Sequence, residues 1–284
     1  MTLYLREDFK QAWQGKDPFA EVLELKGEVF REVKERVTLR FELNDKSYFL
    51  KLHRGIGWRE IFKNWSQFNR PILGADLEYQ AIQKLHSLNV ETMSVAAYGE
   101  IGSNPAKKLS FIITDDLVGT ENLEDFCRLW PQQPPKAGFK RLLIERIANV
   151  SRTLRENGLN HRDYYLCHFH LDLRNFPPQE DVCPEDIHLH LIDLHRMQCR
   201  ENMPTRWAIK DIGGLYFSAM EIGLTQRDLF RFMRLYKGKP LRDTLREDKA
   251  FWQSVQTRAE QLYAKGLRKG IVGNSLEKVK DGEP

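Results

Sequence analysis

The chain has 284 residues, 41% of them hydrophobic and 30% charged, with a formal net charge of +4 and a mean hydropathy of −0.55. That is enough apolar content for one large domain or two lobes with a buried core. It excludes a membrane-spanning helix, since no window approaches the roughly 18 apolar residues one needs, and no apolar segment that would mark a signal peptide follows Arg6, Glu7, Asp8 and Lys10.

In chain order, residues 1–18 read as an entry segment ending in the turn Gly15-Lys16-Asp17-Pro18. Three strands follow over 28–33, 37–43 and 47–52. In the second, Val37, Leu39, Phe41 and Leu43 alternate with Thr38, Arg40 and Glu42, the period of two of a half-buried strand. Asn44-Asp45-Lys46 makes the hairpin into the third, which carries Lys51 at strand level. A basic, partly aromatic segment runs from His53 to Arg70. Beyond it Leu77, Ala81, Ile82, Leu85 and Leu88 have helical spacing, with Glu78 in the first turns. Strands over 95–100 and 109–114 lead to a lobe boundary at Asp115-Asp116-Leu117-Val118-Gly119. Residues 1–117 are expected to form an N-terminal lobe, 118–270 a helical C-terminal lobe, and 271–284 a frayed tail.

In the second half a short helix is predicted over 123–130. A longer one covers 141–157, with Leu142, Leu143, Ile147, Val150 and Leu154 on one stripe and Gly158 as C-cap. Residues 200–207 read as irregular, and helices are predicted over 209–223, 226–236 and 242–265. From Thr225 to Lys280 there are 14 Lys and Arg against 6 Asp and Glu, a face suited to an anionic membrane surface or an acidic partner. Cys127, Cys167, Cys183 and Cys199 form no CxxC pair, so buried, reduced thiols in the cytoplasm are expected.

The chemistry concentrates between His161-Arg162-Asp163 and Leu191-Ile192-Asp193-Leu194-His195. Each end sets an aspartate beside an apolar run. A strand lysine, a helix glutamate, a boundary after a strand, a His-Arg-Asp loop and a later aspartate stand in the order of a bilobal kinase. The expected fold is therefore α+β and protein-kinase-like, an antiparallel sheet lobe followed by a mainly helical lobe. Phosphoryl transfer needs these parts because negative charge spreads over the transferred group. Lys51 would cover the phosphates and Glu78 would hold it. Asp116 and Leu117 would offer backbone groups to adenine, Asp193 would bind the metal, and Asp163 would orient the acceptor hydroxyl. His168 stands where such kinases carry an asparagine metal ligand, a softer donor than magnesium prefers.

Longer blocks carry a closer resemblance. They include Trp13-Gln14-Gly15-Lys16-Asp17-Pro18-Phe19, Tyr48-Phe49-Leu50-Lys51-Leu52-His53-Arg54-Gly55, Pro71-Ile72-Leu73-Gly74-Ala75 and Cys167-His168-Phe169. Ile192-Asp193-Leu194-His195-Arg196, Lys210-Asp211-Ile212-Gly213-Gly214-Leu215-Tyr216-Phe217-Ser218 and Ile222-Gly223-Leu224-Thr225-Gln226-Arg227-Asp228 extend them. Over about Phe9 to Leu267 the chain resembles the lipopolysaccharide core heptose(I) kinases of Gram-negative bacteria. The resemblance implies an ATP- and Mg2+-dependent enzyme that phosphorylates the 4-position of the first heptose of the inner core. It further implies work at the cytoplasmic face of the inner membrane, acyl carrier protein as a companion, and no nucleic acid partner. By the same carry-over Asp163 is the catalytic carboxylate and Asp211 a structural aspartate beneath its loop.

The sequence departs from protein kinases in lacking a Gly-rich loop: Lys34-Glu35-Arg36 occupies that hairpin, so Lys34 and Arg36 become candidate phosphate ligands. The segment from Arg196 to Trp207 is short for a regulated activation loop, which favours a small or glycolipid acceptor. His53, Arg54, Arg59 and Lys63 are candidates for gripping its anionic groups, and Trp58 for stacking on a sugar. Three rivals remain. One is a kinase for Kdo or a second heptose. Another is a non-catalytic pseudokinase acting only as a binding module. The third is a zinc hydrolase, because six of the eight histidines lie between His161 and His195, including His168-Phe169-His170 and His188-Leu189-His190.

Overall fold

The computed structural model describes residues 1–33, 36–55, 57–58, 74–104 and 106–270. They form two compact units, the first made of Met1–Val118 with Asp193–Arg196, the second of Gly119–Ile192 with Met197 onward. The short segment after Ile192, placed by sequence in the C-terminal lobe, thus packs with the first unit.

In that unit the chain runs β1 (Thr2–Leu5), α1 (Glu7–Ala12), α2 (Pro18–Glu24), β2 (Glu28–Val33), β3 (Arg36–Leu43), β4 (Lys46–His53), α3 (Asp76–Ser87), β5 (Val95–Ile101) and β6 (Leu109–Asp115). The strands make one antiparallel sheet in the order β1-β5-β6-β4-β3-β2. Asn44 and Asp45 take φ of 51° and 59°, the left-handed pair that a tight hairpin with strand-matching twist requires. Register then fixes which face each residue uses. Leu50 pairs with Leu39 and Ile113, while Lys51 pairs with Thr38 and Ile112 and so points to the other face. Beneath the Leu50 face, α1 and α2 bury Phe9, Trp13 and Phe19 against Phe41, Tyr48 and Phe111. Phe9 meets Trp13 and Tyr48 edge-on, with ring centres 5.0 and 5.1 Å apart. Each such side chain contributes about 1.5–3 kcal/mol by leaving water. Gly99 is needed here, because a Cβ would lie 2.4 Å from the Phe111 ring.

The entry segment therefore holds a strand and two helices. β1 has four residues, too few for alternation to reveal. It is secured by Arg6, whose guanidinium reaches both Asp115 oxygens at 2.7 Å and also bonds Asp8.

The second unit contains β7 (Thr120–Asn122), α4 (Leu123–Phe126), α5 (Ala137–Glu156), β8 (Leu159–Asn160), β9 (Phe169–Asp172), β10 (Leu189–Leu191), β11 (Gln198–Cys199), α6 (Thr205–Ser218), α7 (Gln226–Lys237), α8 (Leu241–Glu247) and α9 (Lys249–Arg268). The strands form two small antiparallel sheets, β10-β9-β7 and β11-β8. α5 buries Leu143, Ile147, Val150 and Leu154 of the stripe read from the sequence, whereas Leu142 is only half-buried. It gives way at Gly158, where φ is +68° and a Cβ would lie 1.9 Å from the Arg200 carbonyl oxygen. α6 starts directly after Pro204 and stops at Ser218, earlier at both ends than predicted. The single helix expected over 242–265 is two, broken at Asp248, whose carboxylate pairs with Lys237 at 2.9 Å and Lys239 at 2.6 Å.

None of the four cysteines forms a disulfide, but Cys183 and Cys199 are exposed rather than buried, because they lie in the loop before β10 and on the edge pair β11-β8. Among the described residues no helix is long and apolar enough to cross a membrane.

Candidate active site

In the first unit, β4 carries Lys51 and the first turn of α3 carries Glu78. Lys51 Nζ lies 2.6 Å from Glu78 Oε1 and 3.7 Å from Asp193 Oδ1. Glu78 is 2% exposed, and its Oε2 has no hydrogen-bond partner among the described residues. A carboxylate this buried is costly unless it is matched by a cation. Burial alone would lower the Lys51 pKa, but attraction to Glu78 and Asp193 outweighs it and holds the ammonium above its ordinary value. Lys51 is therefore a fixed positive charge at neutral pH.

Asp193 adopts φ of +59°, a left-handed conformation that aspartate tolerates better than most residues. The ring nitrogen Nδ1 of His195 lies 2.6 Å from Asp193 Oδ1. Sequence reasoning gave His195 no role, although an Asp-x-His pair could have signalled it. Carboxylate oxygens in this setting suit a hard divalent cation such as magnesium.

In the second unit, Asp163 sits in a loop whose shape is set by its neighbours. Asp211 of α6 accepts from the amides of His161 at 2.7 Å and Arg162 at 3.0 Å. Burial lifts the Asp211 carboxyl to about 7 although both amides pull it down. The His161 ring bonds the Ile192 carbonyl at 2.9 Å, and the Leu166 amide donates to Ser218 Oγ at 2.9 Å. His168 donates from Nδ1 to the Asp163 carbonyl at 2.6 Å, which leaves the ring's lone pair on Nε2. So His168 orients the loop whatever else it binds.

The remaining expected residues divide. The Asp116 amide donates to the Ser47 carbonyl, and its carboxylate accepts from Arg40 at 2.7 Å and Ser47 at 2.8 Å. Its backbone carbonyl is what it has to offer a base, with Leu117 next in the chain. Arg36 opens β3 opposite His53. Burial, and then Arg31, lower its guanidinium pKa, while Glu78 pulls the other way. Arg54 is exposed and Trp58 is 46% exposed. Lys34, Arg59 and Lys63 lie outside the described residues.

His53 does not match the grip assigned to it. It is buried, and desolvation, followed by the charges of Arg36, Lys51 and His195, pushes its imidazole down to about 3. At neutral pH it carries no charge with which to hold an anion. The unfolded chain takes up this proton near 6.5 and the native state does not until about 3, so stability is lost as pH falls through that window, by up to a few kcal/mol. His53→Asn is expected to flatten the acid limb of a denaturant-unfolding series run from about pH 7 to pH 4; an unchanged slope would assign that limb to other groups.

The histidine-rich strands pair His190 with His170 across β10 and β9. Among the described residues no group of three or more His, Cys, Asp or Glu side chains could hold a metal ion, so the zinc-site geometry is not found there.

Residues 20–236 match the profile of the lipopolysaccharide kinase (Kdo/WaaP) family. The chain is 48% identical over 267 residues to the lipopolysaccharide core heptose(I) kinase WaaP of Escherichia coli, covering 94% of this chain and 99% of that one. It is 46% identical over 270 residues to the enzyme of the same name from Pseudomonas aeruginosa strain PAO1, covering 95% and 99%. A solved structure described as WaaP in complex with acyl carrier protein superposes with a TM-score of 0.79 at 43% identity, over 93% of this chain and 100% of that one. With a family profile spanning most of its length and relatives near half identical from end to end, the chain belongs to the lipopolysaccharide kinase (Kdo/WaaP) family.

Proposed function

We propose that the protein transfers the terminal phosphoryl group of ATP to the 4-hydroxyl of the first heptose of the lipopolysaccharide inner core. The observation that carries this is the Lys51-Glu78-Asp193 constellation, a clamped cation beside a carboxylate, in a chain whose relatives are named heptose(I) kinases. Lys51 binds and neutralises the phosphate oxygens, and Glu78 keeps it from swinging away. Asp193, steadied by His195, would hold magnesium, which would supply positive charge to offset that developing on the transferred group. Asp163 accepts the acceptor hydroxyl's hydrogen bond and takes its proton as the new P–O bond forms and the γ-phosphorus bond to the bridging oxygen breaks, with ADP leaving. His168 and Asp211 position that carboxylate. The exposed Arg54 and Trp58 meet the glycan, while the Leu117 backbone, the Asp116 carbonyl and Arg36 meet the nucleotide.

Acyl carrier protein is the partner we infer, since a neighbour of 43% identity is described in complex with it. Two features of the second unit suit it. One is the basic excess after Thr225; the other is a cavity of about 450 Å³ lined by residues such as Ile144, Ile147, Leu215, Phe232, Met233 and Trp252. Apolar walls of this extent suit a fatty acyl chain. The acceptor is a glycolipid, so the enzyme works at the inner face of the inner membrane, held there peripherally.

The test is transfer of labelled phosphate from ATP with magnesium to inner-core lipopolysaccharide lacking heptose phosphate. Label on the first heptose is the expected result, with a higher unfolding temperature when acylated carrier protein is added. Label on Kdo or the second heptose would move the acceptor, and no transfer by protein that binds ATP would overturn the reading.

A further inference from the structure

One basic cluster in the second unit is left unexplained by phosphate chemistry. The guanidinium carbons of Arg162, Arg200 and Arg206 each lie 5.5 Å from the centre of the Trp207 ring, and Lys210 Nζ lies 4.3 Å from it. The four cations come from the Asp163 loop, the residue after β11 and the first turns of α6. A ring face attracts an exposed cation only weakly. One indole has only two faces, however, and like charges packed this closely repel by amounts of about the same size per pair. Carboxylates do not relieve that repulsion for three of them. Among the described residues Arg200, Arg206 and Lys210 make no ion pair, and Arg200 is held instead by the neutral side-chain oxygens of Asn160 and Gln198.

The backbone also sacrifices stability to build the cluster. Arg162 has φ of +76°, a left-handed conformation that is strained for a non-glycine residue. Asp211 enforces it through the His161 and Arg162 amides. A fold that spends strain to turn an arginine toward three further cations is arranged for a negative guest.

We infer that Arg162, Arg200, Arg206 and Lys210 form a binding site for an oxyanion of the acceptor, a carboxylate or phosphate on an anionic glycan. Guanidinium forks match either group through paired N–H donors. The site adjoins Asp163 in sequence and shares its anchor, Asp211. Anchoring the glycan's anion here sets which hydroxyl meets the Asp163 carboxylate, so the cluster determines specificity. The inference rests on the acceptor reading above and replaces the buried His53 as the source of anion recognition.

The experiment measures equilibrium binding to the full chain, without ATP, of three deacylated inner-core glycans: one intact, one with its carboxylates reduced to alcohols, and one stripped of phosphate. Wild type is compared with the double variant Arg206→Ala, Lys210→Ala, whose residues are exposed and whose melting temperature is checked against wild type. Wild type should bind one of the two modified glycans roughly 10- to 100-fold more weakly than the intact one. The variant should bind the intact glycan at that weaker level and gain nothing from the anion. Whichever modification has this effect names the group, carboxylate or phosphate. The site is overturned if wild type binds all three alike, or if the variant discriminates as wild type does. Selection of the anion by a wild type that transfers no phosphate would keep the site and remove the heptose kinase reading.

Discussion

Asp163→Asn is expected to lower the rate of phosphoryl transfer by roughly 10²- to 10⁴-fold, the usual contribution of a positioned base, with ATP binding unchanged. The substitution removes a charge and leaves the loop. His168 bonds the backbone carbonyl of Asp163, and Asp211 clamps the two preceding amides, so neither contact depends on the carboxylate. Electrostatically the loop would relax, because Asp163 is one of the charges that raise the Asp211 carboxyl. Single-turnover transfer and nucleotide titration on the same preparation check the claim. A kcat within about threefold of wild type would mean that the hydroxyl is oriented elsewhere.

The second large effect belongs to Lys51. Lys51→Met should reduce kcat by roughly 10²–10³-fold, in line with removal of one preorganised electrostatic contact. Glu78→Gln should cost less, about tenfold, because an amide can still accept from the ammonium at 2.6 Å but no longer holds it by charge. The two must couple, since Glu78 bonds the Lys51 ammonium directly. In a double-mutant cycle the combined variant should be no slower than Lys51→Met alone. Additive losses would show Glu78 acting on catalysis by a separate route.

Much of this was legible from local pattern. Alternation over 37–43 and the Asn44-Asp45 turn determine the strand that carries Lys51, and the stripe from Leu77 to Leu88 places Glu78 on a helix facing it. Those signals are strong because short-range periodicity and turn chemistry cause the structure directly. Features that rest on distant contacts were not legible. β1 is held by its pairing with β5 and by the bond from Arg6 to Asp115, both with partners far along the chain. The break at Asp248 depends on Lys237 and Lys239. His53 read as a surface cation because its neighbours are basic, yet it lies on the same strand face as Lys51, buried where Arg36, Lys51 and His195 crowd the ring. The cluster at Trp207 draws on positions 162, 200, 206 and 210, and no single window contains them all.

Asp193 carries two requirements in one side chain. Its backbone stands at φ +59°, where an aspartate or asparagine rests with little penalty and an alanine does not. A routine alanine replacement would therefore disturb conformation and charge together, and its lost activity could not be apportioned. Asparagine isolates the charge, glycine isolates the side chain as a whole, and the difference between them measures what the amide alone retains. The position thus dictates its own controls. It also narrows the ways in which this residue can drift over time, since most neutral paths away from aspartate are closed by geometry before chemistry is consulted.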